Sequence, residues 1–219
     1  MQAFFITGIG TDVGKTIVSA IFTEALQANY WKPVQAGYHD GTDKELVQNL
    51  VSSHQSKFFA EVYKLKLAAS PHIAAREEGV TIDLDKICNH FTEIKNQSSA
   101  NDILIIEGAG GIMVPLNENE FVIDLIQKLN ARVILVSRNY LGSINHSLLT
   151  SEICRMKNLD VSGWIFNDQP QPTGMNYEDE IVSWSGFPKI ASIPFTEKPD
   201  AAFILQQAAL VKEKLLSFL

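Results

Sequence analysis

Short apolar runs and amphipathic stretches alternate along the whole chain. Ala3 to Ile6, Tyr30 to Val34, Asp102 to Ile106, Val133 to Val136, Ser162 to Phe166 and Lys189 to Ile193 have strand length. The run DILII at 102–106 is almost continuously branched and apolar, the pattern of a strand covered on both faces. Residues 14–28, 43–52, 84–95, 121–129, 142–157, 176–184 and 201–218 read as helices. Leu46, Val47, Leu50 and Val51 recur at helical spacing in one of them, and Ile87, Phe91 and Ile94 in another. Strand and helix in alternation predict an α/β fold, a mostly parallel sheet with helices on both faces. No repeat, low-complexity tract or linker interrupts the pattern. The most turn-like segment, Gln169 to Gly174, is too short to divide the chain, so a single domain over residues 1–219 is expected.

Ligands of such sheets bind beyond the carboxyl ends of the strands, and the first strand end carries the strongest signal. Residues 4–16 read FFITGIGTDVGKT, an apolar run, a glycine-containing turn and Gly14-Lys15-Thr16 opening a helical pattern. A P-loop cradles phosphates in inward-pointing backbone N–H groups, aided by the positive end of the following helix dipole. Lys15 would reach the β- and γ-phosphates and the Thr16 hydroxyl would hold Mg²⁺. The first glycine falls at Gly8 instead of at position 9, so this loop is one residue longer than the standard spacing. The plainer reading, a helix start beside a chance Gly-Lys-Thr, does not account for the strand before and the helix after. Asp12 inside the loop either caps the helix or helps to hold a cation or amine.

Composition narrows the field. Of the 219 residues, 46% are hydrophobic and 20% charged, as in an ordinary globular protein with a substantial core. A net charge of −7 argues against broad nucleic-acid binding, which needs a basic surface. Cys88 and Cys154 are too few for a disulfide framework and fit a reducing compartment. No apolar run approaches the length of a membrane span and no basic segment precedes the first strand, so a cytoplasmic protein is expected. His39, His54, His72, His90 and His146 lack metal-ligand spacing.

The other strand ends carry further candidates. Lys32 lies beside a rigid proline at the second, where it is either a solvated surface group or faces a phosphate or carboxylate. Asp43 opens a helix, with capping as its simplest role. After DILII comes Glu107-Gly108-Ala109-Gly110-Gly111. A carboxylate ending a buried strand is where P-loop proteins place an acid that assists Mg²⁺, and three glycines in four residues would be costly in a mere connector. At Gly142 to Asn145 the free N–H groups of a helix start could receive a carboxylate, or Ser143 or Asn145 could cap that helix. Asn167-Asp168 could read a nucleobase edge, and Pro194-Phe195-Thr196 could pack on it.

Together these segments resemble the dethiobiotin synthetase family over nearly the whole chain. The resemblance rests on the long-spaced GIGTDVGKT loop, KPVQAG, SPHIAA at 70–75, EGAGGIMVPL at 107–116, LGSINH at 141–146, GWIFND at 163–168 and IPFTEKPD at 193–200. It implies a P-loop ligase that closes the ureido ring of dethiobiotin from 7,8-diaminononanoate and CO₂ or bicarbonate, with ATP as co-substrate and Mg²⁺ as cofactor. It further implies that Lys15, Lys32 and Thr11 lie at the reacting carbamate and phosphoryl groups, and that Thr16, Asp43 and Glu107 hold Mg²⁺. Asp12, Val13, Gly14, Lys15, Thr16 and Ile17 would cradle the phosphates, bordered by Gly108, Ala109 and Gly110. Asn167, Asp168, Pro194, Phe195, Thr196 and Asp200 would line the adenosine site. Ala36 and a neighbouring subunit's helix start, Gly142, Ser143, Ile144 and Asn145, would bind the diamine in a homodimer. The family commonly has a hydroxyl residue at the position of Ala36 and often glutamate at that of Asp12. The competing reading, a partition- or division-site ATPase, requires a second lysine five residues before Lys15, where this chain has Gly10.

Overall fold

The computed structural model describes residues 1–167 and 177–217. In chain order its elements are β1 (Gln2–Gly8), α1 (Lys15–Leu26), β2 (Asn29–Trp31), β3 (Val34–Ala36), α2 (Asp43–Leu50), β4 (Phe58–Phe59), β5 (Tyr63–Leu65), α3 (Pro71–Glu77), α4 (Leu84–Asn96), β6 (Ile103–Gly111), α5 (Val122–Leu129), β7 (Arg132–Arg138), α6 (Ser143–Met156), β8 (Val161–Asn167), α7 (Glu178–Ser185), β9 (Lys189–Ile193) and α8 (Ala201–Leu216). Seven strands form one sheet in the order β4-β2-β6-β1-β7-β8-β9, every pair parallel. β3 and β5 make a separate two-stranded parallel ribbon.

Strand alternation divides the core in two. Phe5, Trp31, Leu104, Ile106, Val133, Leu135, Trp164 and Phe166 pack on the face covered by α3, α4 and α5. Phe4, Ile6, Tyr30, Ile105, Ile134, Val136 and Ile165 pack on the face covered by α1, α2 and α8. Consecutive strand residues point to opposite faces, so a strand buried on both sides reads as an unbroken apolar run.

The structure adds β4, β5 and α3, which the sequence pattern did not predict, and redraws two expected strands. The stretch 30–34 is not one strand. Pro33 has no N–H to give a ladder, and its carbonyl instead accepts Val62 N at 2.9 Å and Tyr63 N at 3.1 Å. β2 therefore ends at Trp31, and β3 starts a new ribbon at Val34. The run 103–106 likewise does not stop at Glu107. β6 continues to Gly111, with a bulge against β1: the pairing moves from Ile6–Glu107 to Gly8–Gly111, two steps on one strand and four on the other. The glycines serve that bulge, and Gly110 takes φ 71°.

Candidate active site

Parity along two neighbouring strands builds the polar centre. Tyr30 lies opposite Ile105 in the β2–β6 ladder. Lys32 and Glu107, each two residues further on, therefore emerge on the same face, the one that α1 covers. α1 begins at Lys15, which brings Thr16 over this face. Glu107 Oε1 accepts the Thr16 hydroxyl at 2.9 Å and Lys32 Nζ at 2.8 Å, and Oε2 accepts the Tyr30 hydroxyl at 2.9 Å. Lys32 also forms an ion pair with Asp43. The ammonium thus sits between two carboxylates, almost out of solvent.

Asp43 is not the cap of α2. Thr42 is: its hydroxyl accepts Glu45 N at 3.1 Å, and the Glu45 carboxylate accepts Thr42 N at 2.7 Å. The Asp43 side chain is released to meet Lys32, while its backbone N–H donates to Gln35 Oε1 at 3.1 Å. Gln35 Nε2 donates to the Gly37 carbonyl at 2.8 Å and ties the strand end to the start of α2.

The charges respond to one another. Burial alone would lower the Lys32 pKa, but Glu107 and Asp43 outweigh it and the ammonium is held above its ordinary range. Burial would raise the Asp43 pKa, and Lys32 more than reverses that. For Lys15 the balance falls the other way: burial is the largest effect, the Glu107 charge opposes it only in part, the Lys32 charge adds to it, and the pKa comes down to about 8.

The phosphate loop wraps over this centre. Lys15 Nζ donates to the loop's own Gly10 carbonyl at 2.8 Å. Gly14 caps α1 with φ 89°, and a Cβ there would collide with the Asn167 amide. Asp12 adopts φ 57°, and its carbonyl accepts Arg138 Nη1 at 2.7 Å. Asp12 does not cap α1, whose N-cap Gly14 offers no side chain.

A cleft of about 840 Å³ opens here, lined by Thr11, Asp12, Gly14 to Ile17, Lys32, Gln35, Ala36, Asp43, Leu46, Ala68 to Pro71, Glu107, Ala109, Gly110 and Val114. A smaller hollow of about 110 Å³ adjoins it through Asp12, Gly14 and Ile17, and is bounded by Val13, Asn167, Pro194, Phe195, Thr196 and Phe203. The large cleft is lined both by charged groups, among them Lys15, Lys32, Asp43 and Glu107, and by short apolar side chains such as Ala36, Ala68, Ala69 and Val114. The small hollow is lined in part by apolar side chains, Val13, Ile17, Pro194, Phe195 and Phe203 among them.

Three oxygen-bearing side chains, Thr16, Asp43 and Glu107, therefore gather around a single cation, Lys32. Among the described residues no group of three or more His, Cys, Asp or Glu could hold a metal. Two carboxylates and a hydroxyl are hard oxygen donors, and so sparse a set suits Mg²⁺, which keeps waters and phosphate oxygens as its other ligands.

Most of the expected residues converge on the two hollows; of the described ones, six do not. Gly108 lines neither; it packs on the Phe5 ring, where a Cβ would meet Cε1 at 2.7 Å. Asp200 caps α8, accepting Phe203 N at 2.8 Å. Asp168 lies outside the described residues. Gly142 to Asn145 are not among the residues lining the cleft of their own chain. Gly142 is the N-cap of α6, with φ 104°, and no side chain caps that helix, so neither Ser143 nor Asn145 does. The Asn167 amide nitrogen is engaged by the Val13 carbonyl at 2.6 Å, which commits one donor to the loop. Sequence reasoning missed Tyr30, Gln35, Ser70, Pro71 and Arg138. Tyr30 was within reach, since it lies two residues before Lys32 and shares its face.

A family model described as an AAA domain matches residues 2–202. The ATP-dependent dethiobiotin synthetase BioD of Cytophaga hutchinsonii is 48% identical over 198 residues, 90% of this chain and 91% of that protein. The protein of the same name from Leptospira interrogans is 37% identical over 195 residues, 87% of this chain and 85% of its own length. Among solved structures, MinD in the MinC:MinD cell division complex of Aquifex aeolicus superposes with a TM-score of 0.63 at 16% identity, covering 100% of this chain and 95% of that one. The septum site-determining protein MinD of Pyrococcus horikoshii, complexed with Mg-ADP, gives 0.62 at 15%, covering 99% and 98%. At such identities the likeness is one of fold alone.

Proposed function

The chain belongs to the ATP-dependent dethiobiotin synthetase family of biotin biosynthesis, and from that membership we propose how its residues divide the work. The observation that carries the reading is the convergence of Lys15, Thr16, Lys32, Asp43 and Glu107 in one cleft that short apolar side chains also line. One amine of 7,8-diaminononanoate adds to CO₂ and loses a proton, leaving a carbamate. A carbamate oxygen attacks the γ-phosphorus of ATP and ADP leaves, giving a carbamic–phosphoric anhydride. The second amine then attacks the carbonyl carbon, phosphate departs, and the ring is closed.

Positioning and charge neutralisation supply most of such a reaction. Lys32, held protonated by two carboxylates, faces the carbamate and the transferred phosphoryl group. Lys15 meets the terminal phosphates, whose charge would restore the proton affinity that burial removes. Thr11 borders the carbamate end. The small hollow holds the base, with Phe195 and Pro194 against its faces. Thr16, Asp43 and Glu107 hold Mg²⁺. When bound, the metal adds positive charge beside the phosphate oxygens. Ala36, Ala68, Ala69 and Val114 would take the alkyl chain of the diamine.

The start of α6 would complete the site from a second copy of the chain. Supporting this, Leu141, just before Gly142, is 93% exposed, and Leu149 and Met156, two turns apart on α6, are 62% and 75% exposed. A homodimer through that face covers them and brings one protomer's helix N-terminus to its partner's cleft. No helix among the described residues is long and apolar enough to cross a membrane, in keeping with a cytoplasmic enzyme. The test is bicarbonate-dependent phosphate release from ATP with the diamine, and dethiobiotin detected by mass spectrometry. Folded protein that binds ATP yet yields no dethiobiotin overturns the reading.

A further inference from the structure

We infer that Tyr30 is a positioning residue that holds the Glu107 carboxylate with one oxygen turned to the cleft, an assignment that rests on the metal-binding role proposed above for Glu107. Tyr30 is fully buried and lines neither hollow. Its ring packs against Phe58, with centroids 6.2 Å apart, and belongs to the core beneath α1 and α2. Packing alone would be served as well by phenylalanine. Among the described residues the hydroxyl has one hydrogen-bond partner, Glu107 Oε2.

The donors around Glu107 are sorted by side. Oε1 receives Thr16 and Lys32, both of which line the cleft, and Oε2 receives Tyr30, which comes from the core. The last torsion of a glutamate side chain is broad and only weakly set by its own rotamer preferences. The carboxylate plane must therefore be fixed from outside. Thr16 and Lys32 cannot fix it during turnover, because both have phosphate-facing roles and must be free to leave Oε1. Tyr30 has no other task, and its bond persists while the cleft side changes partners. Without it, Oε2 is a buried acceptor lacking a donor, and the carboxylate gains by turning to share the Thr16 and Lys32 donors between its oxygens.

Outer partners that orient metal ligands typically change metal affinity by about 10–100-fold when removed. The test uses Mn²⁺ as the probe, its binding to the full-length protein with a non-hydrolysable ATP analogue followed by electron paramagnetic resonance. Tyr30→Phe should weaken Mn²⁺ binding about tenfold, the lower end of that range. Affinity for the analogue in EDTA should stay within about twofold, a value set by the nucleotide's own contacts. Glu107→Gln should weaken Mn²⁺ as well, and Tyr30→Phe added to it should cost nothing more, because the tyrosine acts only through that carboxylate. Wild-type Mn²⁺ affinity in Tyr30→Phe overturns the assignment. So does loss of analogue binding in EDTA, which would mean that Tyr30 supports the whole loop, and so does an equal loss in the Glu107→Gln background. Wild-type Mn²⁺ affinity in Glu107→Gln removes the metal role itself, and the assignment falls with it.

Discussion

Lys15 provides a pH dependence that can be worked through. Its ammonium is buried at the start of α1 and has a pKa of about 8 against an ordinary 10.5, with burial the main cause, opposed in part by the Glu107 charge and reinforced by that of Lys32. A polyphosphate against Nζ favours the charged form and returns the pKa towards its ordinary value. Binding ATP must then draw a proton from solution wherever the free protein has lost it. With a pKa near 8, about nine-tenths of the free protein is protonated at pH 7 and about one-tenth at pH 9. Affinity for ATP should therefore fall about tenfold over those two units, equal to about 1.4 kcal/mol, with a limiting slope of about one decade per unit above pH 8. Proton uptake should rise from about 0.1 at pH 7 to about 0.9 at pH 9. Lys32 and Asp43 do not interfere, since the first is pushed up and the second down, and both stay charged throughout. Titration calorimetry in EDTA, repeated in buffers of different ionisation enthalpy, reads affinity and proton uptake together. Lys15→Met should bind weakly and with no pH slope in this window. An affinity flat from pH 7 to 9.5, or a slope that survives in Lys15→Met, would refute the reasoning.

The same burial predicts that Lys15→Met stabilises the protein while abolishing turnover. The folded pKa lies below the unfolded value, so between about pH 8 and 10.5 the unfolded chain binds more protons and stability rises with pH. At pH 7 the substitution should raise Tm by several degrees, up to about 3 kcal/mol of relieved burial, as read by calorimetry. Lys32→Met should do the reverse. It strands Glu107 and Asp43 without their cation and should cost about 3–5 kcal/mol, seen as a lowered denaturation midpoint together with lost dethiobiotin formation. Gly14→Ala forces a side chain into the Asn167 amide at a left-handed position, and should abolish measurable ATP binding by calorimetry while the circular dichroism spectrum is kept. Leu149→Glu on the exposed side of α6 should shift sedimentation from two chains to one and suppress turnover, whereas an active monomer would remove the interface proposal.

Local chemistry was legible in the sequence wherever one residue type has one use in one context. The loop GIGTDVGKT needs glycine for its backbone path, and Gly-Lys-Thr at a helix start is the arrangement of a P-loop. Runs such as DILII can be buried only with helices on both faces. The ends of elements were less legible, because they depend on partners distant in the chain. Pro33 divides a run that looked continuous, since its carbonyl is claimed by Val62 and Tyr63. The glycines after Glu107 read as a turn and instead form a bulged strand against β1.

What the sequence alone determined is therefore the alternating parallel architecture and which residues make up the loop between β1 and α1, both written in contiguous stretches under local steric and hydrophobic rules. Only the tertiary structure decided which charges neutralise which. Asp43, Thr16, Tyr30 and Glu107 come from β-strands and helices, and Lys32 from the link between β2 and β3; they lie up to 91 residues apart and meet because the sheet places β2 beside β6 and α1 across both. A residue's pKa, and so its role, depends on the distance and burial of such neighbours, quantities that exist only once the chain has closed on itself.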